Sequence, residues 1–171
     1  KNVVFGGLVY MGKAPGIVAM IRAQTGKDVS ITVVDKVLNG MLAQMPNAKK
    51  WQDAQFQFAL DNGYVQNRLG FKRRFMLITD DNLEDVRKAS VNAPVQGVVA
   101  DLLLLAATQL INQGVRILML NHDEIVFEAK ENVIEQTASL VQQTMIDVAA
   151  THFPEVAWRA DVEIGDRWYD K

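Results

Sequence analysis

The sequence predicts an α+β fold, with helices packed on a small, mainly antiparallel sheet. Three observations point there. Apolar residues recur at helical spacing, as in Val33, Val34, Val37, Leu38, Met41 and Leu42. Short apolar runs that favour extended backbone flank a compact polar group, with Ile117 to Asn121 before it and Ile125 to Phe127 after it. Hydrophobic residues make up 49% of the 171 residues, enough to fill a substantial core and too many for a disordered chain.

The elements follow in order. Residues 1–10 are apolar and glycine-containing, with no N-cap before them, so a helix there reads as the remainder of a longer one. Gly12, Pro15 and Gly16 punctuate the chain. A short helix over 17–23 is closed by Gly26, and Asp28 or Ser30 caps the next one. Pro46 breaks that helix, and another runs over 51–60 with Trp51, Gln55 and Phe58 on neighbouring turns. Asn62-Gly63 ends it. Residues 63–70 and 71–75 form a β-hairpin. A turn at 80–82 leads to a helix over 83–91. Pro94 then suits the first turn of a separate helix over 95–110, which is apolar nearly all round and ends at Gly114. Strands over 115–120 and 125–129 flank His122-Asp123-Glu124. A helix starts near Asn132 with Ile134, Ala138, Val141, Met145 and Val148 on one stripe. Ala160, Val162 and Ile164 alternate with Asp161 and Glu163, which predicts a last strand over 158–164.

Composition narrows the function. The chain has no cysteine, which removes disulfides and thiolate metal sites and fits a cytoplasmic or other intracellular compartment. The formal net charge is −2, so any nucleic-acid site must be a local basic patch. The longest unbroken apolar run, near 102–107, is too short to span a bilayer, and no membrane partner is expected. No signal peptide is visible.

The group His122-Asp123-Glu124 carries the most chemistry. Neighbouring side chains on a strand point to opposite faces, so two adjacent carboxylates between apolar strands sit best in a tight turn. Such a turn presents an acid at the tip of a hairpin with a buried base, where a divalent cation can be held. A solvated acidic turn has the same local pattern.

Leu120-Asn121-His122-Asp123-Glu124-Ile125-Val126-Phe127-Glu128 resembles the last motif of the A-family DNA polymerases, the group of bacterial polymerase I. Four further segments resemble the same family in the same order. Lys1 with Phe5-Gly6 is similar to the fingers-helix motif KxxxFGxxYG. Gly63-Tyr64-Val65, Gly70 and Lys72-Arg73-Arg74 are similar to GYVxTxxGRRR. Asn92-Ala93-Pro94-Val95-Gln96-Gly97 with Ala100-Asp101 is similar to NxPxQGxxAD, and Gly165-Asp166-Arg167-Trp168 to the closing G-x-x-W. Together they cover nearly the whole chain.

The resemblance implies part of a polymerase domain, with residues 1–62 fingers-like and 63–171 palm-like. It implies template-directed transfer from a dNTP to a primer 3′-oxygen, with Mg²⁺ as cofactor and primer–template DNA as partner. Asp123 is the family's metal ligand here. Glu124 is the neighbouring carboxylate, acting through water or by positioning the primer end. His122 contacts the primer strand. Lys1 is a triphosphate ligand and proton donor to the leaving pyrophosphate, a role that suits a cation. Phe5 lies on the same helical face as Lys1, by the incoming sugar.

A basic stretch such as Arg68, Lys72, Arg73 and Arg74 is alone most often a solvated face, but the hairpin context and the resemblance imply that it neutralises phosphates. Asn92 and Gln96 lie four apart at the expected helix start and so face one groove; the resemblance implies that these two amides meet the minor groove, where every base pair offers acceptors. Capping the helix is their alternative role.

The chain departs from the family in three places. Val9 stands where the family has its tyrosine, and Tyr10 comes one residue later, about 100° further round a regular helix. Gly6-Gly7 permits a distortion that would correct this. The arginine expected four residues before Asn92 is Lys88, beside Arg87, so the charge is kept without the guanidinium fork. No DxSxxE motif for the second metal-binding aspartate occurs in the sequence. The expected partner is therefore an upstream polymerase portion that supplies that aspartate. The alternatives are a non-catalytic DNA-binding or assembly piece of a split polymerase, and a metal nuclease built on the acidic turn.

Overall fold

The structure, a computed structural model, describes Gly7 and residues 11–167. The expectations for Lys1, Phe5, Tyr10 and Trp168 lie outside the described residues. Among the described residues the chain is mostly helical with two small antiparallel hairpins. It divides into two compact units, Lys1–Gln96 and Gly97–Lys171.

The first unit opens with α1 (Ala14–Thr25), α2 (Ile31–Gln44) and α3 (Pro46–Asn62). Pro15 sits in the first turn of α1, where its missing N–H costs nothing, and Gly26 closes the helix in the left-handed region with φ 69°. Ser30 occupies the N-cap position of α2, but its side chain makes no capping bond. Asp28 instead pairs with Arg22 at 3.3 Å. Pro46 ends one helix and starts the next, so α3 begins earlier than the apolar spacing indicates. Ala14, Ile17, Val34 and Leu38 form the α1–α2 core. Gly7 lies against that core: a Cβ there would come within 1.9 Å of Leu38 Cδ2, so a larger residue would make the Leu38 side chain shift.

A second core joins α3 to the first hairpin. Its strands are β1 (Tyr64–Gln66) and β2 (Lys72–Arg74). Ala59, Val65 and Val86 are buried together, with Phe56, Phe75, Ile78 and Ala93 packed around them.

The largest departure from the sequence expectation is α4 (Leu83–Asn112). It is a single helix of 30 residues with Pro94 inside it, not two helices with Pro94 at the start of the second. Pro94 has no N–H to offer the Ser90 carbonyl, a defect worth about 3 kcal/mol in a free helix. Burial on both sides of the defect offsets it. Ser90 and Val91 are buried before it, and Leu102, Leu103, Ala106, Ala107 and Leu110 after it. Continuity also makes residues 80–112 long and apolar enough to cross a membrane by length and composition alone. Unbroken apolar runs did not indicate this; one such helix is weak evidence of a membrane span, and a third of its most apolar stretch is buried in the protein.

The second unit contains β3 (Arg116–Asn121), β4 (Glu124–Glu128) and α5 (Ile134–His152). Leu110, Val115 and Val141 make its core, with Ile117, Ile125, Phe127 and Met145 packed against them. The antiparallel expectation therefore holds as two separate two-stranded hairpins. The strand expected over 158–164 does not form among the described residues. Alternation gives a segment the right side chains, but a strand also needs a partner for its backbone. This segment has side-chain anchors instead: Gln142 Nε2 donates to the Ala160 carbonyl at 2.6 Å, and Trp158 Nε1 to the Phe153 carbonyl at 3.0 Å.

Candidate functional site

The acidic group lies where its residue types place it. Asn121 and Glu124 are the last paired residues of the β3–β4 hairpin, and His122-Asp123 form the two-residue loop. His122 has φ 53°. Two-residue hairpin loops favour positive φ at their first position because that twist matches the strands, and histidine enters this region more readily than most side chains. His122 and Asp123 are exposed and Glu124 is half-buried.

The hairpin is anchored from below. Ile125 and Phe127 reach the core around Leu110, so alternation puts Glu124 on the opposite face, with Val126. A bulge between Ile117 and Met119 shifts the β3 register, and the Arg116–Glu128 ion pair closes the open end at 2.6 Å. That pair is exposed and contributes little to stability. Asp123 is thus a solvent-facing carboxylate on a well-held tip. Among the described residues, no group of three or more His, Cys, Asp or Glu side chains is arranged to hold a metal ion.

The basic residues are set out by the first hairpin. Gly63 ends α3 at φ 70°, its N–H donating to the Ala59 carbonyl at 2.9 Å. Its own carbonyl accepts from Phe75 N at 2.8 Å, which ties the hairpin base to the helix end. Tyr64 pairs with Arg74, Val65 with Arg73, and Gln66 with Lys72. The run Lys72-Arg73-Arg74 is therefore not one surface. Lys72 and Arg74 share a face with Tyr64 and Gln66, and Arg73 lies on the face of buried Val65. All three cations are exposed.

Sequence reasoning missed two residues of this hairpin. Asn67 is only 5% exposed and organises the loop. Its Oδ1 accepts from Leu69 N at 3.0 Å and Phe71 N at 2.9 Å. Its N–H donates to the Phe71 carbonyl at 3.0 Å, and its carbonyl accepts from Gly70 N at 3.1 Å. The available signal was an Asn three residues before a Gly, since Asn side chains imitate backbone in turns. Asn67→Ala leaves two backbone donors without that acceptor and is expected to cost about 1–2 kcal/mol in urea unfolding. An unchanged midpoint would deny Asn67 this role. The second missed residue is Tyr64, whose ring carries Lys72 Nζ 4.5 Å from its centroid.

Asn92 and Gln96 lie inside α4, not at a helix start, so they do not cap it. The four-residue spacing still places them on one side. Asn92 Oδ1 is buried with no hydrogen-bond partner, and Gln96 is exposed. Lys88 is half-buried one turn before Asn92, while Arg87 lies 4.0 Å from Asp53.

Residues 1–170 match DNA polymerase family A. The chain belongs to that family. It is 30% identical to DNA polymerase I of Chloroflexus aurantiacus over 98% of its length, and 31% identical to the thermostable DNA polymerase I of Thermus aquaticus over 72%. It spans only 18% and 15% of those two relatives. Among solved structures it resembles the POL domain of Pol1 from M. smegmatis in complex with DNA primer-template and dNTP. The TM-score is 0.67 at 23% identity, over 83% of this chain and 26% of the other, which supports the shared fold.

Proposed function

We propose that this chain supplies the C-terminal part of a template-directed DNA polymerase and half of its metal site. The observation that carries this is Asp123, an exposed carboxylate on a two-residue turn whose hairpin is anchored in the core. Family membership gives that turn its context. We assign residues 1–62 to a fingers-like part and 63–171 to a palm-like part.

Asp123 and Glu124 fit a hard cation such as Mg²⁺ in kind, because both offer carboxylate oxygens. They fall short in number, since the described residues bring no third ligand to them. A two-metal centre, when bound, stabilises the attacking and leaving oxygens of the displacement. This chain's residues do the positioning. Asp123 holds metal and Glu124 supports it, with His122 against the primer strand. Asn92 and Gln96 reach the minor groove. Arg68, Lys72, Arg73, Arg74 and Lys88 face phosphates.

Lys1, Phe5 and Tyr10 are assigned to the dNTP, Lys1 as the cation facing its triphosphate. Gly6-Gly7 permits the local distortion that the one-residue shift to Tyr10 calls for. The reaction class implies an intracellular setting and primer–template DNA, dNTP and an upstream polymerase portion as partners.

The exposed cations of the first hairpin also fit a second reading, a non-catalytic DNA-binding or assembly piece. Primer extension with Mg²⁺ separates the two. The expected result is no extension by the 171-residue chain and extension once a portion carrying the second aspartate is joined to it. Failure of the joined protein to extend, with DNA binding intact, would favour the second reading.

A further inference from the structure

We infer that Tyr64 is a positioning residue for DNA binding, its ring holding Lys72 ready for phosphate on the outward face of the first hairpin. The inference rests on the DNA-binding reading of this chain and adds to it a residue and a division of labour. Alternation splits the basic run, placing Lys72 and Arg74 beside Tyr64 and sending Arg73 to the opposite face. Arg74 stands directly across from Tyr64, and Lys72 is its diagonal neighbour, within reach of a long side chain. Lys72 Nζ lies 4.5 Å from the ring centroid, close enough for attraction to the negative face of the ring.

The ring is itself held. Phe58 of α3 meets it edge-on, with centroids 5.5 Å apart and planes at 88°. The neighbouring Val65 is fixed in the core. A free lysine side chain loses much rotamer freedom when it grips a phosphate. A ring that already confines Lys72 lowers that loss. Arg73 Cζ is 6.0 Å from the Phe75 ring, at the outer limit of such contacts. It therefore serves as the internal control, a cation of the same run on the opposite face from the Tyr64 ring.

The test is binding of the 171-residue chain to a primer–template duplex, titrated at several salt concentrations, with circular dichroism confirming the fold of each variant. Tyr64→Leu is expected to weaken binding about two- to five-fold. Tyr64→Phe, which keeps the ring, should restore it. Lys72→Ala, Arg73→Ala and Arg74→Ala should each lower the slope of log K against log salt by about 0.9. Lys72→Ala should matter less in the Tyr64→Leu background than in the wild type, whereas Arg73→Ala should cost the same in both. A chain that binds, with Tyr64→Leu equal to wild type or Lys72→Ala costing as much in the Tyr64→Leu background as in the wild type, overturns this role alone. A wild-type chain without salt-dependent binding overturns the DNA reading and this role with it.

Discussion

Asp123→Ala is expected to lower Mg²⁺-dependent primer extension by about three orders of magnitude in the joined protein. Loss of a metal ligand forfeits several kcal/mol of charge stabilisation in the transition state, and each 1.36 kcal/mol is about tenfold in rate. The fold should not respond. Asp123 is exposed in a turn and takes no part in the buried cluster beneath it, and substitutions at such positions stay within about 0.5 kcal/mol. The informative comparison is single-turnover extension beside thermal unfolding of the same variant. Extension within about tenfold of wild type would remove Asp123 from the metal site. A large loss of stability would instead make the turn a structural element.

Leu110→Ala has the opposite signature. Leu110 is completely buried, at 0% exposure, and packs with Val115 and Val141 beneath Ile117, Ile125 and Phe127. Deleting its branched end removes buried methyl groups and leaves a cavity, a change that costs about 2–5 kcal/mol. Urea unfolding should show that loss as a lower midpoint. Because the hairpin stands on this cluster, the variant should also weaken function when the acidic turn itself is intact. A cost below about 1 kcal/mol would mean that the site collapses around the smaller side chain.

The two hairpins were legible because the residues that bound or join their strands carry their own chemistry. Asn62-Gly63 stops α3, and an acidic pair between apolar strands calls for a tight loop. The same local logic misread Pro94. Proline in a first turn is the common case, and only the buried residues on both sides of it reveal that α4 continues. The strand over 158–164 failed for a related reason. Its alternation was real, but pairing depends on a neighbour that the segment does not specify.

The candidate site was legible as residue types and only partly as geometry. Asp123 could be placed on a turn from the sequence, and period two could have divided Lys72, Arg73 and Arg74 between faces. The contact of Lys72 with Tyr64 needs the hairpin register, and the organising role of Asn67 needs the loop conformation, neither of which a linear motif carries. Asn92 and Gln96 kept their spacing but changed their setting, from the start of a helix to its interior.

If the acidic turn is half of a metal site, it should hold a cation only when its other half is present. Mn²⁺ is a spectroscopically visible stand-in for Mg²⁺, and its titration followed by electron paramagnetic resonance reads this out without any turnover. Saturable binding is expected in the joined protein, lost in the Asp123→Ala variant and absent from the 171-residue chain alone. The same saturable site in the isolated chain, or its survival in the joined variant, would contradict the half-site assignment.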